Sequence, residues 1–309
     1  MPTPELIEEG RAMVAALVAD LAAIPEVEPQ VAWDFRLAMP DLPAEVLRTV
    51  PGERRDHFWD RAMNGCGAVW PIAPESGGEL ERVSRMVLEE DRVLLGCRPE
   101  AVRLAASKRD TARILEEAGI PVATTRAADE PLPESEHGWV LKPDQGEGGL
   151  DVQRFPSRAG IEGARARLAD PENWVVQPFI PGRACSLSLL MDGVRGRMIS
   201  KNHQHVSFRP GDACLDAVLP GPPPEGAAPW SELISAMARG FPGLWGYVGM
   251  DFVETPEGPV VLEINPRLTT AYAGLDRQVV GNPAREILRT AGLVPGGGHA
   301  TRQRAANDP

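Results

Sequence analysis

Asp251, Glu263 and Asn265 are the residues in this 309-residue chain whose types and spacing best suit shared chemistry. Tyr247 to Glu254 and Val260 to Asn265 are rich in β-formers, and Pro256-Glu257-Gly258 between them is turn chemistry, so the stretch predicts a hairpin. A three-residue loop with Gly258 in the left-handed conformation sets Asp251 opposite Glu263, with Asn265 two residues on and on the same face. Two carboxylates and an amide oxygen are hard ligands that favour Mg²⁺ or Mn²⁺, and Mg²⁺ usually brings phosphates as its remaining ligands. An ordinary hairpin with a solvated charged face accounts for these three residues equally well. The residues just past Asn265 weigh toward chemistry: Arg267 carries a planar fork of donors suited to carboxylate or phosphate, and Thr269 and Thr270 add hydroxyls.

A second constellation lies upstream in GWVLKPDQGEGGL, where Trp139 to Lys142 forms a strand and Gly146, Gly148 and Gly149 come next in a loop. Without Cβ atoms, backbone N–H groups can turn toward an anion and form a phosphate nest, while the Lys142 ammonium neutralises charge from its base. No G-K-[ST] follows, so this is not a Walker A loop, and a hairpin turn explains the glycines alone. Asp144 and Glu147 are expected to face solvent or the metal. Further on, Gln177 and Pro178-Phe179-Ile180 end a strand. Their main-chain groups suit adenine, with Gln177 meeting its exocyclic amine and Phe179 packing its ring; a plain crossover between sheets explains the same residues. The loop PIAPES places Glu75 after a parallel strand, where ligands collect, though an exposed acid on a stiff loop fits as well.

These stretches together resemble ATP-grasp ligases. The resemblance rests on an acid-bearing strand followed by Glu263-Ile-Asn265-Pro-Arg267, on the run from Lys108 through Leu115 to Gly119-Ile-Pro-Val-Ala123, and on Lys142 with its glycine loop. EINPRLTTAYAGL is similar to a subgroup that includes tyramine–glutamate ligases of methanofuran-type cofactor biosynthesis, as are the I-A-P-E around Glu75 and the N-x-Q of Asn202 and Gln204. The resemblance implies an α/β chain, α+β in its ATP-binding part: an ATP-grasp fold holding nucleotide between two β-sheet subdomains, after a parallel α/β N-terminal domain. The expected divisions are 1–97, 98–178 and 179–295, with 296–309 a disordered tail.

The resemblance further implies ATP and Mg²⁺ (or Mn²⁺) as cofactors, and an amide formed through an acyl phosphate. Lys108, Lys142, Gly146, Gly148, Gly149, Gln177, Pro178, Phe179 and Ile180 would hold the nucleotide, and Asp251, Glu263 and Asn265 the metal. Arg267 and Lys142 would act in catalysis, with Arg267, Thr269, Glu75 and Asn202 on the substrate. The partners would be small-molecule carboxylates and amines, with room for a homodimer. Three readings stay open: a glutamate ligase acting on tyramine or tyrosine, another amino-acid or dipeptide ligase of the D-alanine ligase type, and a non-catalytic nucleotide-binding module. The departures are Ala184, where many ATP-grasp enzymes hold ribose with a glutamate, and Ala271, where the subgroup has serine.

The elements that must position these residues are set by patterning. Glu5 to Ala23 is an amphipathic helix; Val31 to Phe35, Ala68 to Trp70 and Val93 to Leu95 are strands, and Glu79 to Glu90 is a helix. Alternation of this kind predicts a parallel layer. It begins on a helix, where the subgroup leads one to expect a strand and a glycine-bearing loop. Helices are expected across Ala101 to Ala118 with a strand starting at Ile120, and again at Ser231 to Gly240 and Asn282 to Ala291. A net charge of -12 argues against a nucleic-acid partner, and no apolar run reaches the ~18 residues of a bilayer span, which predicts a cytoplasmic protein without a membrane partner. Cys66, Cys97, Cys185 and Cys214 form no C-x-x-C pair, and His203 with His205 is read as an ordinary strand pair, since Mg²⁺ has little affinity for imidazole.

Overall fold

The structure, a computed structural model, describes residues 4–146, 148–209, 212–224, 228–277 and 281–295. The expected tail after residue 295 and Glu147 lie outside them.

Helix α1 (Pro4–Ala22) leads into β1 (Gln30–Trp33), β2 (Glu45–Arg48), α2 (Arg55–Met63), β3 (Ala68–Val69), α3 (Glu79–Glu89) and β4 (Val93–Leu94). Strand β1 pairs with β2 and β3 with β4, both in parallel, which bears out the parallel N-terminal layer. Helices α4 (Pro99–Ala106) and α5 (Lys108–Glu117) come after. No strand begins at Ile120: Pro121 has no N–H to give a ladder, and Val122 makes only an isolated parallel bridge to Val261.

The chain then builds two antiparallel sheets. One comprises β5 (Arg126–Ala127), β6 (Trp139–Pro143), β7 (Gln153–Phe155) and, beyond α6 (Arg158–Arg165), β8 (Trp174–Pro178), in the order β5-β8-β6-β7. The other comprises β9 (Arg183–Asp192), β10 (Gly196–Arg209), β11 (Asp212–Gly221) and, beyond α7 (Ala228–Gly240), β12 (Trp245–Thr255) and β13 (Gly258–Asn265), in the order β11-β10-β9-β12-β13. A 3₁₀ stretch, Thr270–Arg277, and α8 (Pro283–Thr290) complete the described chain.

Strands β9 and β12 are buried on both faces. On one face Leu187, Leu189, Met250 and Phe252 pack with residues of α4 and α7; on the other Tyr247 and Leu190 pack with Met13 and Leu17 of α1, Tyr272 and Ile287. The second face also carries a polar row. Asn202 donates to Ser186 and Ser188 at 3.0 and 3.1 Å, and Tyr247 Oη donates to Ser188 at 2.7 Å. Covering such a row is stable only because its members satisfy one another.

Candidate active site

The β12–β13 hairpin sets Asp251 opposite Glu263 by a route different from the expected loop. Thr255 pairs with Gly258, so the turn has two residues, Pro256 and Glu257, and Gly258 at φ 125° supplies a conformation that L side chains rarely adopt. Continued without interruption, that register would place Leu262 opposite Asp251. A bulge between Asp251 and Phe252 makes Leu262 the extra residue and brings Glu263 into the pair. The carboxylates therefore share a face through the bulge, not the turn.

Lys108 and Lys142 arrive from separate elements. Ser107 caps α5, its Oγ accepting from the Asp110 N–H at 3.1 Å. Asp144, two residues past Lys142, accepts from Ser107 Oγ at 2.8 Å and from the Arg109 N–H at 2.9 Å. Asp144 is thus buried and ties β6 to the start of α5, where it was expected to face solvent or the metal; the orphan N–H groups of a helix start are a natural carboxylate site. Held there, Lys108 donates to the Gly146 carbonyl at 3.2 Å and lies 3.4 Å from Glu263.

Burial pushes the Lys142 ammonium down to about 8, Lys108 adding to the effect while Glu263, Asp251 and Asp144 oppose it. Burial pushes Asp251 up to about 7, with Glu263 repelling it further; hydrogen bonds from Asn265 and Gln204 work the other way. Glu263 also feels burial, but Lys108 and Lys142 outweigh it and hold its carboxyl below the usual range. Asp251 accepts from Gln204 Nε2 and from Asn265 Nδ2, each at 3.0 Å. Two neighbouring carboxylates, one pushed up by burial and by its partner's charge and the other held down by two lysines, form a site that a cation would complete. Among the described residues no three His, Cys, Asp or Glu side chains cluster to enclose a metal, so a cation on this pair would draw ligands from elsewhere.

A cavity of about 720 Å³ runs between the two sheets. Its lining includes Lys108, Lys142, Gly146, Gly148, Gly149, Gln177, Pro178, Phe179 and Ile180, together with Asp251 and Glu263. The exposed apolar side chains Leu150, Val206, Phe208 and Leu219 all line it too, an apolar wall facing the charged end. Sequence reasoning missed that wall because β10 and β11 form it only when paired. Gly148 and Gly149 have φ of 68° and 72°, and Gly149 packs so closely on β11 that a Cβ there would meet the Ala213 carbonyl at 2.2 Å.

Two expected contacts take another form. The Phe179 N–H donates to the Gly138 carbonyl at 2.8 Å, so it is not a main-chain donor for adenine, and the Arg154 guanidinium stands 3.5 Å over one face of the Phe179 ring. Gln177 donates to Thr125 Oγ1 at 2.8 Å, which leaves its carbonyl oxygen as the acceptor side.

At the other end, Arg267 donates through Nε to Glu75 at 2.8 Å, a pair joining the loop after β3 to the end of β13. Glu75 is buried, and its Oε1 has no hydrogen-bond partner among the described residues. Glu9 of α1 lies in the same field: burial raises its pKa and Arg267 opposes the rise. Thr269 is bonded to the Tyr247 hydroxyl at 3.0 Å. Asn202 does not line the cavity; it is fully buried with its amide engaged by three serines, Ser186, Ser188 and Ser200. Its neighbour in phase, Gln204, reaches Asp251 instead; the N-x-Q spacing held the signal, since residues two apart share a face.

Two antiparallel sheets enclosing a cleft, with paired acids on one and a lysine and glycine loop on the other, are the architecture of ATP-grasp proteins, and the chain belongs to that family. Residues 105–271 match the ATP-grasp domain and residues 27–102 the pre ATP-grasp 3 domain. The tyramine–L-glutamate ligase of Methanocaldococcus jannaschii is 28% identical over 66% of this chain and 56% of its own length; that of Methanocaldococcus fervens is 27% identical over 87% and 83%. The chain thus spans little more than half of the first of these relatives. Among solved structures, the L-amino acid ligase of Bacillus licheniformis superposes with a TM-score of 0.68 at 14% identity, covering 91% of this chain and 71% of that one. Among the described residues no helix is long and apolar enough to cross a membrane.

Proposed function

We propose that the protein is an ATP-dependent carboxylate–amine ligase that joins L-glutamate to tyramine or a closely related amine, in a methanofuran-type cofactor pathway. The observation that carries the ligase reading is the pairing of Lys108 and Lys142 with Asp251 and Glu263 at one end of a cavity whose other wall is apolar. That arrangement suits a molecule with a polyanionic tail and a flat apolar head. In the reaction, a substrate carboxylate attacks the γ-phosphorus of ATP and ADP departs; the amine, having given up its ammonium proton to solvent, then displaces phosphate from the acyl phosphate, and its second proton leaves with the phosphate, leaving the amide.

Asp251, Glu263 and Asn265 fit a divalent cation of the Mg²⁺ type, being hard oxygen donors too few to enclose it, so that phosphate oxygens would fill its shell. When bound, it supplies neutralisation of phosphate charge. Lys108 and Lys142 bind phosphate oxygens and balance the charge that builds during transfer. The loop carrying Gly146, Gly148 and Gly149 keeps water from the acyl phosphate. Glu75 holds Arg267 by its Nε, so that the guanidinium takes a substrate carboxylate while Oε1 of Glu75 takes the ammonium of the other substrate. The two tyramine–L-glutamate ligases among the relatives support the choice of substrates.

The test is ADP release on mixing the protein with ATP, Mg²⁺, L-glutamate and a panel of amines: tyramine, tyrosine, D-alanine and other amino acids. Turnover that requires both glutamate and tyramine is expected. Turnover with a different pair overturns the substrate assignment, and no ADP with any pair overturns the ligase reading.

A further inference from the structure

A second cavity, of about 370 Å³, lies at the other end of the five-stranded sheet. Trp245 lines it and stands in phase with Tyr247 and Asp251 on β12, so both cavities share one sheet face, separated by six residues or ~20 Å of strand. Three guanidinium groups converge there in a chain of net charge -12: Arg195 and Arg197 beside the β9–β10 turn, and Arg289 in the last turn of α8. The two acids at this site do not balance them. Asp192 is used by its own turn, accepting from the Val194 and Arg195 N–H groups at 2.9 and 2.6 Å, and Glu286 pairs with Arg197 at 2.5 Å.

Among the described residues Arg195 and Arg289 have no acidic partner, and the buried Nε of Arg289 has no hydrogen-bond acceptor. A buried charged donor with no acceptor is unfavourable, and a guanidinium fork is best satisfied by a carboxylate or phosphate. Leu190, Trp245 and Ile287 supply an apolar floor beneath the three arginines.

We propose that this cavity is a second small-molecule site, for an anion bearing a carboxylate or phosphate group on a small apolar body. The inference stands independently of the ligase reading. Calorimetric titration of the full chain, with MgADP present in excess to fill the nucleotide cleft, uses two probes: 3-phenylpropionate, a carboxylate on an apolar body, and inorganic phosphate. Saturable binding of either probe is expected, weakened about tenfold by Arg195→Ala and by Arg289→Met, the loss of one charge-assisted contact. Which probe binds tells a carboxylate ligand from a phosphate one. Arg195 sits on an exposed turn, so its replacement leaves the fold intact and decides the matter even if the Arg289 variant is unstable. No saturation below about 10 mM, the weak end of specific binding, overturns the proposal. Binding that both variants leave unchanged overturns it too.

Discussion

At the proposed phosphate end of the cleft, the side chains are positioned by neighbours from other elements: Lys108 by carbonyls of the loop after β6, and Asp251 by Gln204 of β10 and Asn265 of β13. At the proposed substrate end, Arg267 and Glu75 hold each other, Glu75 keeps a buried oxygen without a hydrogen bond among the described residues, and Glu9 adds a second acid to the same field. At the first end the side chains are held in place by bonds within the protein and await only a cation and its phosphates; at the second a polar group is still to be satisfied. On the proposed function, that difference teaches where selectivity would reside. Nucleotide phosphates are common to ATP-dependent ligases, so side chains held in advance would serve them, whereas the acid and amine would be recognised by groups left incomplete without them.

The largest effect is expected at the phosphate end. Glu263→Ala removes the ionised member of the acid pair and the ion-pair partner of Lys108, and kcat for ADP release should fall by about a hundredfold to a thousandfold. Turnover within about threefold of the parent would mean that the pair does not serve phosphoryl transfer, and the comparison would break. Glu75→Gln probes the substrate end. It keeps the shape, removes the charge that holds Arg267, and should raise the KM of the amine or amino-acid substrate by about ten- to a hundredfold while leaving that of ATP within about twofold. Equal rises for both substrates would show that the two ends act as one.

The contrast also explains what was legible in the chain. Lys142, the glycine loop and the acids of β12 and β13 are local in sequence, each on or beside one element, and the alternation of strands is enough to place them. The Leu262 bulge was not legible, because the turn residues fit two loop lengths and only pairing against the long β12 strand selects the register. Asp144 as a helix cap was illegible for a similar reason: its partners Ser107 and Arg109 come from another element. The Ser-Lys-Arg-Asp start of α5 does carry a capping signature, and it could have drawn attention to that helix end. Asn202 misled because a polar side chain on a strand reads alike whether it faces a ligand or a row of serines.

The smallest effect separates the ends by pH. Lys142 sits at about 8 against an ordinary 10.5, chiefly because burial disfavours its charged form. To pair with phosphate it must carry its proton, so the KM of ATP should be flat below about pH 7, roughly double by pH 8 and rise by roughly a further fivefold between pH 8 and 9, the change expected for one proton lost from the free protein. Stability moves the other way. Between about 8 and 10.5 the unfolded chain binds more protons at this lysine than the folded one, so the Lys142 contribution grows with pH across that window and is lost as pH falls through 8. Lys142→Met should remove both slopes, weakening ATP binding at pH 7 while flattening its dependence above pH 8. If the substrate end is separate, the amine's KM in the same variant keeps the pH profile of the parent; if that profile changes along with the nucleotide's, the lysine's charge reaches the whole cleft and the two ends share one electrostatic field.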